Sequence, residues 1–227
     1  MKGLLIKIEY EKEEYRFMKT FIKSILAGIC ISLGGVAYLT LENHIVGACL
    51  FTIGLFIIYV FGFNLYTGKV CFISNEKPKF LLTVLNVYIG NAVGTIGMGT
   101  ILRHTRVSHI VEHTKEVVAG KLSDTAFSVF IMAVLCGVLI CVAVLGYMHI
   151  KDPVGKYIAL FIPIMVFLLS GYEHSIADMF YFTMAGAWGA KAFIYINIIA
   201  LGNLVGGMII PIVCKYTDGV IYQSQSH

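Results

Sequence analysis

Charge is what this sequence has least of. Asp, Glu, Lys and Arg make up 13% of its 227 residues, hydrophobic residues 58%, and mean hydropathy is +0.84. That balance excludes a soluble domain, because apolar runs of about 20 residues, enough to cross a bilayer as helix, recur along the chain. The net charge of +4 is too small and too dispersed for nucleic-acid binding. None of the six cysteines (Cys30, Cys49, Cys71, Cys136, Cys141, Cys214) forms a CxxC pair. A zinc or redox motif is thereby excluded, and the thiols read as small buried hydrophobes. No metal and no cofactor is expected. A cleavable leader is not recognisable either: Lys2, Lys7, Lys12, Arg16 and Lys19 are mixed with Glu9, Glu11, Glu13 and Glu14, and no small-residue cleavage site follows. The first span is therefore expected to stay in the mature protein, behind a lead (residues 1–19) that is an interfacial amphipathic helix or a solvated tail.

What is present is a series of spans within one transmembrane domain, residues 1–227. Span 1 covers Phe21–Leu41. The apolar stretch Ile45–Ile73 is longer than one span needs and is broken at GFNLYTG (62–68). Span 3 is Phe80–Leu102, the polar loop 103–125 follows, and span 4 is Ala126–Ile150. A half-length helix, Tyr157–Ser170, stops at GYEHSIAD (171–178), and a short segment resumes to Met184. Span 6 is Ala192–Cys214, with a polar tail over 215–227. His104, His109 and His113 lack paired metal-ligand spacing and read as solvated loop residues. Eleven Lys and Arg flank one side of the spans and five the other, so both termini are expected in the cytoplasm.

The halves resemble one another. GN-A-VG (90–94) recurs as GN-L-VG (202–206), the breaks at Gly62 and Gly171 are 109 residues apart, and so are Gly28 and Gly137. Three spans per half, the middle one broken, make an inverted 3+3 repeat of six transmembrane helices with helices 2 and 5 interrupted. Irregular backbone survives at membrane depth where protein or a water-filled cavity satisfies it. Such a fold class, all-α and membrane-embedded, puts a site near the midplane and points to a channel or transporter.

Ionisable groups in the second break are costly in lipid and are expected to face a pathway. His174 sits near the start of a half-helix, where N–H donors attract anions. Its ring either donates to an anion or merely fixes the break. Asp178, one helical turn on, has three open roles: pairing with His174, binding a proton, or bonding to the other break. Glu173 reads as a cap for loop amides. Thr67 offers a hydroxyl to a permeant ion or to His174. Lys121, before span 4, either draws anions into a vestibule or is simply solvated. Leu55, Phe51, Leu65 and Phe167 read as packing on spacing alone. Asn91 and Asn203, at matching repeat positions, are candidates to bond exposed backbone at the breaks.

NLYTG (64–68), LNVYIGNAVG (85–94), Lys121, GYEHSIADMF (171–180) and LGNLVGG (201–207) together resemble the formate/nitrite transporter family, over all six spans. The resemblance implies an aquaporin-like fold, assembled as a homopentamer in the lipid bilayer of the cell membrane, with a separate pore per protomer. It implies small monovalent anions as cargo: hydrosulfide, formate or nitrite. By position it makes His174 the central pore histidine, Thr67 its partner, Asn203 the span 6 pore asparagine and Lys121 the vestibule lysine. Leu55, Leu65 and Phe167 become the hydrophobic constrictions, with Phe51 toward the outer one. Gly137 and Asp178 stand where asparagine is usual, and Tyr66 where phenylalanine is common. With Lys69, these departures look most like the hydrosulfide-channel branch.

The expected mechanism follows from desolvation. A bare anion meets a steep barrier at an apolar constriction, and protonation by His174 or water removes its charge. The alternative within the fold is a proton-coupled formate or nitrite transporter. A neutral-solute channel lacks support because the paired Asn-Pro-Ala motifs are missing. An intramembrane hydrolase is disfavoured because Ser175 follows His174 directly, about 100° away on a helix, and no GxSxG is present. No enzymatic activity is expected.

Overall fold

The computed structural model describes the backbone of residues 2–220 and Tyr222, and the side chains of residues 12–220 and Tyr222. Among these residues all regular structure is helical. The helices are α1 (Lys2–Thr40), α2 (His44–Phe51), α3 (Ile53–Phe61), α4 (Tyr66–Lys69), α5 (Phe80–Leu102), α6 (Val111–Ser123), α7 (Ala126–His149), α8 (Pro153–Leu169), α9 (Ser175–Ala185) and α10 (Ala190–Thr217). Among the described residues five stretches are long and apolar enough to cross a membrane: Lys12–Thr40, His44–Phe61 (α2 and α3 together), Phe80–Leu102, Ala126–His149 and Ala190–Thr217. Pro153–Leu169 is a shorter apolar helix.

Some helix starts are fixed by side-chain caps. Asn43 Oδ1 accepts from Ile45 N and Val46 N at the head of α2, and Asp152 accepts from Gly155 N at α8, with Pro153 in the first turn. Two glycines end helices inside the apolar region. Gly62 (φ 63°) closes α3 and Gly171 (φ 68°) follows α8, both in the left-handed conformation that a side chain disfavours. Each leads into a short extended stretch before the next helix begins.

The most extensive helix pairs are α1 with α5 and α7 with α10. Both are meshed at glycine. A Cβ on Gly28 would run into the Asn91 carbonyl, and one on Gly94 into the Ile25 carbonyl. Across the other pair, Gly137 abuts the Asn203 carbonyl and Gly206 the Val134 carbonyl. Small residues let the backbones approach, which substitutes for the missing hydrophobic drive between helices in lipid.

Two segments differ from their sequence reading. The polar stretch 103–125 is not an open loop: a 3₁₀ turn over Arg106–Ile110 leads into α6. A short stripe at helical spacing (Ile110, Thr114, Val118) is buried and holds α6 down, beneath the charges that dominate its composition. The lead is continuous with span 1, since α1 runs unbroken from Lys2 to Thr40. The side chains of residues 1–11, and in the tail residues 221 and 223–227, lie outside the described residues.

Candidate functional site

The two extended stretches are held by two asparagines in the same way. Asn91, on α5, accepts from Tyr66 N (2.8 Å) and donates to Ser24 O (2.7 Å) and Asn64 O (2.9 Å). Asn203, on α10, accepts from Ser175 N (2.9 Å) and donates to Ala133 O (2.9 Å) and Glu173 O (2.8 Å). Each carboxamide thus satisfies an amide and a carbonyl of one break and a carbonyl of a neighbouring helix. Both asparagines are fully buried. Buried backbone groups without such partners would each cost free energy comparable to a lost hydrogen bond.

The breaks bring His174 and Thr67 together: Nε2 lies 3.0 Å from Oγ1. His174 caps α9, its Nδ1 accepting from Ala177 N at 3.1 Å. With Nδ1 used as an acceptor, the neutral ring carries its hydrogen on Nε2 and donates it to Thr67 Oγ1. The threonine hydroxyl hydrogen is then available to a third group. The Phe167 ring stacks on the imidazole (centroids 5.5 Å, planes 18° apart) and meets Phe51 edge-on at 6.0 Å. Phe51, Leu55, Leu65 and Phe167 are all buried.

Glu173 and Asp178 meet Lys121, which reaches in from α6. Lys121 Nζ donates to Glu173 Oε2 at 2.5 Å and lies 3.0 Å from Asp178 Oδ1. Lys121 is outside the apolar spans. Burial disfavours its ammonium, but the negative charge of the Asp178–Glu173 pair more than reverses this and holds its pKa above the ordinary lysine value. The lysine is therefore a neutralised cation rather than a bare one.

Two cavities flank the His174–Thr67 pair and share no lining residue. The larger, about 310 Å³, is lined by Lys121, Glu173, Asp178, His174 and Phe167, with Tyr38 and Tyr181. The smaller, about 110 Å³, is lined by Leu65, Gly68, Lys69, Asn64, Tyr59 and Tyr147. The structure thus gathers Thr67, His174, Phe51, Phe167 and the Lys121 cluster around one locus, with Leu65 at the second cavity. Asp178 does not pair with His174 through its side chain, and the Glu173 carboxylate pairs with Lys121, where the sequence reading had it capping loop amides.

Sequence reading missed the aromatic walls: Tyr38 and Tyr181 on one side, Tyr59 and Tyr147 on the other. Their rings sit in apolar runs with no spacing that separates lining from packing. Tyr66, noted as a departure, donates its hydroxyl to Ala200 O (2.9 Å), so it serves as a cross-link between the first break and α10.

Comparison with known proteins is consistent along the chain. The Formate/nitrite transporter family profile matches residues 4–217. An uncharacterized transporter of Bacillus subtilis (strain 168), YrhG, is 30% identical over 74% of this chain and 68% of its own length. The formate-nitrite transporter of Plasmodium falciparum (isolate 3D7) is 27% identical over 89% of this chain and 79% of its own. Among solved structures, a pentameric formate channel with formate bound superposes with a TM-score of 0.77 at 21% identity, covering 89% of this chain and 97% of its own. An ion channel of the same family gives 0.73 at 21% identity, over 85% and 87%. These two establish likeness of fold. On the profile match the chain belongs to the formate/nitrite transporter family.

Proposed function

We propose that this protein is a channel for small monovalent weak-acid anions, hydrosulfide first, with formate and nitrite also carried. The observation that carries the reading is the His174–Thr67 hydrogen bond, buried between two separate cavities and stacked against Phe167. On this reading an anion leaving the larger cavity passes the apolar rings of Phe51 and Phe167, the polar pair, and Leu55 and Leu65. Apolar constrictions stop bare ions and pass neutral small molecules, so the cargo must shed its charge. Hydrosulfide fits because its conjugate acid is neutral and forms near physiological pH.

Six spans in an inverted repeat complete the reading. The supporting observation is that Asn64 and Glu173, Tyr66 and Ser175, and Ser24 and Ala133 are each 109 residues apart and play matching parts around Asn91 and Asn203. We take the assembly to be a homopentamer, as the superposing formate channel is described. Both termini are placed in the cytoplasm on the Lys and Arg bias.

The test is uptake of hydrosulfide, formate and nitrite into proteoliposomes, with protein-free vesicles subtracted. The expected result is hydrosulfide fastest, and sharply reduced flux in Thr67→Val. Faster formate or nitrite would overturn the cargo assignment, and no flux of any anion would overturn the channel.

A further inference from the structure

At the larger cavity two carboxyl groups, Glu173 and Asp178, share the one ammonium of Lys121. Glu173 Oε2 and Asp178 Oδ1 both take Lys121 Nζ, at 2.5 and 3.0 Å. Asp178 Oδ2, on the same carboxyl group, is buried without a hydrogen-bond partner, and the Tyr181 hydroxyl on the same helix is too. Asp178 itself is 1% exposed. A bare carboxylate oxygen in that setting is costly, while a neutral acid is not, and two carboxyl groups sharing one site hold a proton between them.

The remaining groups around Asp178 supply no second cation among the described residues that line its cavity. From α1 comes Tyr38, and from the α6 end come Lys121 and Asp124. In the break, His174 has its Nδ1 committed to Ala177 N. From α10, Tyr195 donates its hydroxyl to Asp124 O at 2.7 Å. Arg103, after α5, approaches Thr183 O at 3.4 Å, beyond Tyr181 toward the end of α9. From α4, Thr67 does not titrate, and the Tyr66 hydroxyl is held by Ala200 O. Of the two acids, Glu173 makes the shorter bond to Lys121, and Asp178 has the unpartnered oxygen. The surplus proton belongs on Asp178 Oδ2.

We infer that Asp178 is a proton-binding site of the conduction pathway, neutral at physiological pH, and that it protonates the anion admitted to the larger cavity. The inference rests on the conduction reading above. In the transfer the Asp178 Oδ2–H bond breaks and its electron pair stays on the carboxylate. The proton forms an S–H bond on hydrosulfide, or an O–H bond on formate or nitrite. The neutral acid proceeds past Phe51 and Phe167, and hydronium from the water outside the cavity restores Asp178. Until it does, the cluster of Lys121, Glu173 and Asp178 is net negative and repels the next anion. His174 is spared, since taking a second proton at Nδ1 would break the cap on Ala177 N.

The test has a spectroscopic arm and a flux arm. Infrared spectra of the full-length protein in membranes at neutral pH are expected to show a protonated carboxylic acid band that shifts in heavy water. The band should vanish in Asp178→Asn, stay in Asp178→Glu, and vanish also in Glu173→Gln, where one carboxylate faces one ammonium. In proteoliposomes, wild-type formate flux should fall by up to about tenfold per pH unit above the Asp178 titration, and Asp178→Asn should lose that slope. Absence of the band in wild type, its survival in both Asp178→Asn and Glu173→Gln, or an unchanged flux slope in Asp178→Asn would each overturn the inference. A band that behaves as expected in a protein that conducts no anion would uphold the bound proton and overturn its delivery, together with the conduction reading.

Discussion

At Asn203, backbone from the second break and from α7 converges on one carboxamide. Asn203→Ala leaves the Ser175 amide and the Ala133 and Glu173 carbonyls without that partner, each worth roughly 1–3 kcal/mol when buried. We expect a large fall in the melting temperature of the solubilised protein. Asn203→Asp, which keeps the acceptor and loses both donors, should fall between the two; equal melting of all three would show that the break is held by other means. Thr67→Val is a different kind of change. It keeps the shape, strands the His174 Nε2–H, and should cost about 1–3 kcal/mol while reducing flux far more than stability. Measuring both on one preparation separates a pore role from a structural one. At this scale the sequence announced the polar residues but not all their partners. Asn91 and Asn203 were legible because GN-A-VG (90–94) recurs as GN-L-VG (202–206). The partners of Lys121 were not, because they lie 52 and 57 positions on, and a charged stretch gave no sign that α6 folds back over the cavity.

Helices here are joined by close backbone approach, and glycine position sets the outcome of adding a methyl group. A Cβ at Gly137 runs into the Asn203 carbonyl and lies 2.9 Å from Gly207 N, all of it backbone. Gly137→Ala must push α7 off α10, and overpacking of this kind costs about 1–3 kcal/mol. It also shifts the carbonyl-bearing turn that carries Asn203, so flux should fall with stability. Gly97, on α5, has nothing within 4 Å of its Cβ position. Gly97→Ala should be neutral or stabilising by up to about 1 kcal/mol, from the better helix propensity of alanine. Thermal melts of the two variants check the pair, and equal destabilisation would count against the packing account. The long elements were readable from hydropathy alone. The tight contacts were not readable, because 23 glycines look alike until the facing backbone is known.

Over the whole molecule, the groups that form the proposed path all come from one chain. Thr67 and His174 are 107 positions apart in the same chain, and residues of that chain line both cavities. The outside is apolar, with Phe127, Phe193 and Leu82 each about two-thirds exposed or more, which suits lipid or a neighbouring subunit. Hydropathy made that outer surface legible, yet it gives no division between lipid-facing and subunit-facing residues, since both are apolar. If five protomers assemble and each conducts alone, a blocked subunit should silence its own pore and no other. Leu65→Trp, which places a large ring at the wall of the smaller cavity, supplies the block. Co-expressed with the wild-type chain in varying ratio and reconstituted, it should lower hydrosulfide flux in direct proportion to its share. A single shared pore would instead be lost as soon as one subunit in an assembly carried the block, so flux would fall far more steeply than the mutant fraction. Native mass spectrometry of the same mixtures fixes the subunit ratio, and the curve of flux against that ratio decides between independent pores and a common one.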